Sequence, residues 1–293
     1  METVTNSFVL DHFFCKKLLQ EIAYNLSGSI SDLPRYQKLC SEQNLTYNSS
    51  NLAAIQDIYK LLCSTHQNEY FFKNTLFNYF FNDSVLSGDL NLCPTILNEF
   101  HVASSIPDLI VIKPNNTSEI LEIKSQCDSL ERLQSQLPDY YKVFRKVSLV
   151  TGEKLYTKAI AMTKKSNLGL YLINKKGEVI QEKEAKLCND RLELSECFKF
   201  LRQKEYLNVL KKYFNYSYST FNPSFKNYQE CKSLFCSIDK ITASLEIEEA
   251  LSMRTNNNLQ YLSKVPFELR SLFYFSNLTK IEKSRIIDFF NRI

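Results

Sequence analysis

Three side chains near the middle of the chain have the types and spacing for metal-assisted chemistry on a phosphate. Asp108 follows Pro107 and opens the apolar run Leu109-Ile110-Val111-Ile112, while Glu122 and Lys124 sit in a second run, Ser118-Glu119-Ile120-Leu121-Glu122-Ile123-Lys124. Residues two apart on a strand leave the same face, so Glu122 and Lys124 share one. With Asp108 on the neighbouring strand, two carboxylates gather beside one ammonium. Carboxylate oxygens are hard ligands suited to Mg²⁺, with Mn²⁺ as the alternative. A lysine placed there can serve the attacking water and the scissile phosphate. The chemistry these residues suggest is metal-dependent phosphodiester hydrolysis.

A carboxylate two residues before a lysine is by itself a weak signal, because charges at a strand end commonly just face water. The surroundings strengthen it. Lys113-Pro114-Asn115-Asn116-Thr117 has the composition of a turn, so the interval from Asp108 to Glu122 suits a β-hairpin. A segment with helical patterning begins soon after Lys124.

Taken together, these residues resemble the PD-(D/E)xK nuclease superfamily, with its restriction-endonuclease-like fold. Glu99, in Ile96-Leu97-Asn98-Glu99-Phe100, resembles the acidic residue on the strand before the Asp. Gln136-Leu137-Pro138-Asp139-Tyr140 resembles the Q-h-x-x-Y element of RecB-like members. The run from Asp128 to Leu133, then Gln136 to Phe144 and Val147 to Thr151, is similar to a bacterial subfamily of these nucleases, in which a helix like Asn68–Asn74 precedes the first core strand. The likeness covers roughly residues 66–185. It implies an α/β fold with an αβββαβ core and a mixed central sheet, flanked by N-terminal and C-terminal helices. It further implies that Asp108, Glu122, the Ile123 carbonyl and Glu99 or Glu69 hold one or two Mg²⁺ ions. Lys124 would orient or activate water and neutralise the phosphate, and Gln136 and Tyr140 would position DNA or Lys124. Some RecB-like members carry an iron–sulfur cluster on four cysteines, but Cys188, Cys197, Cys231 and Cys236 lack its tight spacing.

Pro138 departs from the pattern. A continuous helix would place Gln136 and Tyr140 on one face, but an interior proline removes a backbone hydrogen bond and costs roughly 3 kcal/mol. The expectation is either a kink at Pro138 or a new helix with Pro138 in its first turn.

Composition narrows the rest. The chain has 293 residues, is 44% hydrophobic and 13% aromatic, and carries a formal net charge of +4. That describes a globular protein of one large domain or two small ones, only mildly basic. Nine cysteines without a CxxC pair, and no secretory pattern in residues 1–25, point to free thiols in the cytoplasm. Five scattered glycines do not make a phosphate-binding loop. His12, His66 and His101 have no zinc-site or catalytic-triad spacing. No apolar run approaches the length of a bilayer span.

Apolar periodicity predicts helices over 7–26, 50–63 and 67–82, strands over 95–102, 106–113 and 118–124, and a helical stretch over 128–145. Strand 147–151, helix 156–165 and strands 169–174 and 178–182 follow. From about 188 the pattern is helical, over 194–214, 226–238, 244–252 and 266–292, with 215–223 as the clearest loop. The expected division is 1–65 N-terminal helices, 66–187 nuclease core and 188–293 C-terminal helical region. Right-handed crossovers would set Asp108 and Glu122 at one edge of the sheet. Glu69 and Lys73, four apart, read either as a surface ion pair or as a helix-borne acid near the metal.

Lys142, Arg145, Lys146, Lys164, Lys165, Arg202, Lys204, Lys211 and Lys212 read either as solvated helix faces or as a surface that tracks phosphates. Tyr216, Tyr218 and Phe221 could stack bases. DNA is the expected partner, with RNA open, no membrane, and a protein partner or second copy as a further expectation. The rival reading is a nuclease fold that binds or scaffolds nucleic acid without cutting it, or that needs a partner for activation. A third places the nuclease in a host-defence or mobile-element system.

Overall fold

The alternation that pairs Glu122 with Lys124 also builds the centre of the protein. The computed structural model describes residues 8–46, 50–87, 89, 92–115, 117–125, 128–216, 225–254 and 256–291. Six strands form one mixed sheet in the order β1-β2-β3-β4-β5-β6: β1 (Thr95–Leu97), β2 (Leu109–Ile112), β3 (Ser118–Lys124), β4 (Val147–Gly152), β5 (Gly169–Ile173) and β6 (Val179–Lys183). The first three strands form an antiparallel meander, β3, β4 and β5 are parallel, and β6 returns antiparallel. Parallel neighbours need crossover connections. These are α6 (Glu131–Tyr141) between β3 and β4, and α7 (Glu153–Thr163) between β4 and β5. The protein is therefore α/β with an open mixed sheet.

Helices cover both faces of the sheet, so its central strands are apolar on both sides. Leu109, Val111, Leu121, Ile123, Val150 and Tyr171 face one core. That core is completed by α2 (Lys16–Tyr24), α3 (Pro34–Gln43), α4 (Asn51–Thr65) and α5 (Glu69–Ser87), together with α12 (Arg270–Tyr274) and α13 (Lys280–Asn291). Ile110, Ile112, Ile120, Val147, Leu149 and Leu170 face the other core. There they meet α6, α8 (Leu194–Phe200), α9 (Gln203–Phe214), α10 (Phe225–Phe235) and α11 (Lys240–Ser252). The two chain ends share the first core, and buried amides tie them together. Asn51 accepts from the Ile30 N–H and donates to the carbonyls of Gly28 and Phe289.

Several elements differ from their sequence-based bounds. The 7–26 segment is two helices, α1 (Phe8–Asp11) and α2, separated by a turn at His12–Cys15; Ser7 lies outside the described residues. Strand 95–102 stops at Leu97, because Glu99 (φ 58°) and Ala103 (φ 52°) adopt left-handed backbone that a strand cannot continue through. Strand 106–113 shortens to Leu109–Ile112, so Asp108 immediately precedes it. Helix 128–145 contracts to Glu131–Tyr141, with Pro138 inside it and no break there. Helix 156–165 shifts to Glu153–Thr163. Helix 194–214 divides at Leu201–Arg202, where the backbone is extended. Helix 226–238 ends at Phe235, and 244–252 begins earlier, at Lys240. The 266–292 segment divides into a short 3-10 turn, α12 and α13. Helix α3 was not anticipated; it is largely polar, with Tyr36, Leu39 and Cys40 as its buried residues. Tyr218, Phe221, Cys127 and Asn116 lie outside the described residues.

Candidate active site

The meander sets the first two acids opposite each other. Leu109 pairs with Leu121 in the antiparallel β2–β3 ladder, and extending that register by one residue places Asp108 across from Glu122. These strands are the second and third of six, so the pair sits at strand ends in the interior of the sheet and not at its edge. The Ile123 N–H donates to Asp108 Oδ2 at 2.7 Å, fixing the carboxylate against β3.

Glu122 is 2% exposed, and both of its oxygens have donors. Lys124 Nζ donates to Oε1 at 2.7 Å, and the Tyr140 hydroxyl donates to Oε2 at 2.6 Å. Gln136 closes the circuit: its Nε2 donates to the Tyr140 oxygen at 3.2 Å, and its Oε1 accepts from Lys124 at 3.4 Å. Gln136 and Tyr140 are one helical turn apart on α6 and meet as i,i+4 neighbours despite Pro138. Sequence spacing and structure thus bring Asp108, Glu122, Lys124, Gln136 and Tyr140 together.

Neighbouring contacts hold this group from both sides. Asp139 on α6 accepts from the Ser104 N–H at 3.2 Å and the Ser105 hydroxyl at 2.9 Å, fixing the turn that leads to Asp108. Burial pushes the Asp139 carboxyl up, but hydrogen bonds from Lys142 and Ser105 outweigh it and hold it below the usual range. Beyond Lys124, the Asp128 carboxylate accepts from both the Ser125 N–H and its hydroxyl.

Sequence reasoning set Lys73 beside Glu69 and missed its approach to Asp108. Lys73 pairs with Glu69 on α5 and also approaches Asp108 Oδ1 at 3.7 Å. Burial lowers the Lys73 pKa, but Asp108 and Glu69 reverse this and leave it raised. Asp108 itself is pushed up to about 6, by burial first and the Glu122 charge second, against the opposing pull of Lys73 and the Ile123 N–H. Burial, followed by the Glu122 charge, raises the Tyr140 hydroxyl as well, so Tyr140 stays a donor.

The remaining expected ligands stand farther out. Glu69 has a side chain 64% exposed and reaches Asp108 through Lys73. Glu99 lies after β1 instead of on it, and its exposed carboxylate pairs with Lys16 at 3.9 Å. Among the described residues, no three His, Cys, Asp or Glu side chains converge as a metal site. Two facing carboxylates nevertheless suit a hard divalent cation. Mg²⁺ is commonly held by one or two carboxylates, with water and substrate phosphate completing its shell.

Of the basic residues noted above, Lys142, Arg145, Lys146 and Lys212 are paired with carboxylates. Their charge is thereby largely spent within the fold. Cys188, Cys197, Cys231 and the other described cysteines are free thiols. No described helix is long and apolar enough to cross a membrane.

The sheet and its helical layers define an α/β protein, and comparison with known families gives it a place. The chain belongs to the family described as Bacteriophage P4 protein cII, which matches residues 63–281. That stretch runs from the end of α4 through the sheet to the start of α13. A solved structure of a protein of unknown function from Silicibacter pomeroyi is similar at 13% identity with a TM-score of 0.27, over 43% of this chain and 84% of that one. No curated protein matches.

Proposed function

We propose that this protein is a metal-dependent nuclease that hydrolyses phosphodiester bonds in DNA, built on a restriction-endonuclease-like core. The observation that carries the reading is the hydrogen-bonded circuit of Glu122, Lys124, Gln136 and Tyr140 facing Asp108. The element order α5-β1-β2-β3-α6-β4, an antiparallel meander followed by a parallel crossover, supports the αβββαβ core.

Each residue has a distinct task. Asp108, Glu122 and the Ile123 carbonyl would hold the cation, which when bound acidifies water and offsets charge on the phosphate. Lys124 brings a positive charge to the same strand end, where it meets the phosphate and orients the attacking water. Gln136 and Tyr140 are positioning residues: they fix the rotamers of Lys124 and Glu122. Lys73 moderates the charge of Asp108. Membership of a family named for a bacteriophage protein favours the mobile-element setting over a stand-alone repair role.

The test incubates purified protein with supercoiled plasmid, single-stranded DNA and RNA, with Mg²⁺, Mn²⁺ or EDTA. Metal-dependent cutting of DNA supports the reading, and RNA cutting alone would change the substrate class. Binding without cutting under every condition would favour the scaffolding alternative.

A further inference from the structure

A cavity of about 340 Å³ lies against the edge strand β1, bounded also by the segment after α11 and by α13. Its lining includes Arg202, Arg254 and Lys283, and no carboxylate lines it among the described residues. Lys283 is 5% exposed. Its ammonium donates to the Asn257 carbonyl at 3.3 Å and lies 5.4 Å from the Tyr261 ring centre. No described carboxylate comes within 4 Å of it. Burial, helped by Lys280, lowers its proton affinity. Arg254 is 8% exposed; its Nε and Nη2 bind Glu205 at 2.8 and 2.7 Å, while its buried Nη1 has no hydrogen-bond partner.

Buried charge without a counter-charge, and a buried donor without an acceptor, are both costly. Lys283 and Arg254 line one polar space. Glu205, bonded to Arg254 and in Coulombic reach of Arg202, balances one of the three cations and leaves an excess of two positive charges. That excess matches a phosphomonoester, which carries nearly two negative charges at neutral pH. The space far exceeds a water molecule and falls at the lower end of small-ligand sites, roughly 300–1,000 Å³. Phe100 and Phe275 on its wall add apolar surface beside the charges.

We propose that this cavity binds a small phosphorylated anion of mononucleotide size, with Lys283 and Arg202 receiving the phosphate. This site is built from residues other than the Asp108–Tyr140 group and does not depend on the nuclease reading.

The test is calorimetric titration and thermal melting of the full chain with dAMP, dTMP, inorganic phosphate and a 5′-phosphorylated oligonucleotide. The mononucleotides are expected to bind and to raise Tm. Lys283→Met should raise the Tm of the free protein by removing the buried charge, and should abolish the ligand-induced shift. Should that variant fail to fold, Arg202→Gln, at an exposed position, should weaken mononucleotide binding at least several-fold. Absence of mononucleotide binding, undiminished binding by Lys283→Met or Arg202→Gln, or binding of the oligonucleotide alone would overturn the proposal. Equal affinity for inorganic phosphate would overturn the assignment of mononucleotide size.

Discussion

Tyr140 on α6 donates its hydroxyl to the buried Glu122 on β3 at 2.6 Å, joining the helix after the meander to the strand that carries the candidate catalytic residues. Tyr140 is itself fully buried. The bond has two consequences. It keeps Glu122 in place beneath Asp108, and it leaves Lys124 on the opposite carboxylate oxygen.

Tyr140→Phe should therefore weaken both stability and cleavage. Removing one partner strands a buried carboxylate oxygen, which costs about 1–3 kcal/mol. Denaturant unfolding should show a lower midpoint with unchanged slope, and kcat should fall more than KM rises.

Asp108→Asn should stabilise the metal-free protein while abolishing cleavage. The folded-state pKa, about 6, lies above the ordinary value of 3.8. A raised carboxyl pKa means that the folded state loses stability as pH rises from about 4 to 6, and remains less stable above that. The asparagine removes this penalty and can still accept from the Ile123 N–H. The gain should be near zero below pH 4 and about 3 kcal/mol above pH 7, measured by thermal or urea unfolding in EDTA across that range. A uniform gain at all pH values would contradict the stated cause.

Lys73→Met should move the acidic limb of the pH–rate profile upward by roughly one unit, since Lys73 is the cation that opposes the rise of Asp108. A measured limb that stays in place would show that Asp108 does not govern it.

Much of this site was legible because a strand has a fixed two-residue period. Ser118–Lys124 forms as the apolar pattern requires, and the β2–β3 register puts Asp108 across from Glu122. The i,i+4 spacing of Gln136 and Tyr140 also survives, as α6 continues through Pro138. Lys73 was less legible: its tie to Glu69 is local, but its approach to Asp108 depends on how α5 packs against the sheet. Glu99 misled for a different reason. Its sequence context reads as strand, yet the left-handed turn at Glu99 and Ala103 ends β1 two residues earlier. The polar helix α3 escaped notice because its buried positions are few and its remaining surface resembles a loop.

Glu99→Gly tests that placement. Glycine adopts φ near 58° without the steric cost borne by glutamate, so the variant should be about 0.5–1 kcal/mol more stable. Cleavage should stay within about threefold of the parent, because Glu99 faces Lys16 and solvent. A large loss of activity would return Glu99 to the metal-binding set.

The most direct measurement is single-turnover cleavage of supercoiled plasmid in Mg²⁺ by the parent and by Lys124→Ala, with each fold checked by circular dichroism. The account predicts cutting by the parent that EDTA stops, and loss of at least about a hundredfold in the variant. Near-parental cutting by a folded Lys124→Ala would contradict it, as would a parent that leaves DNA intact while binding it equally well in EDTA.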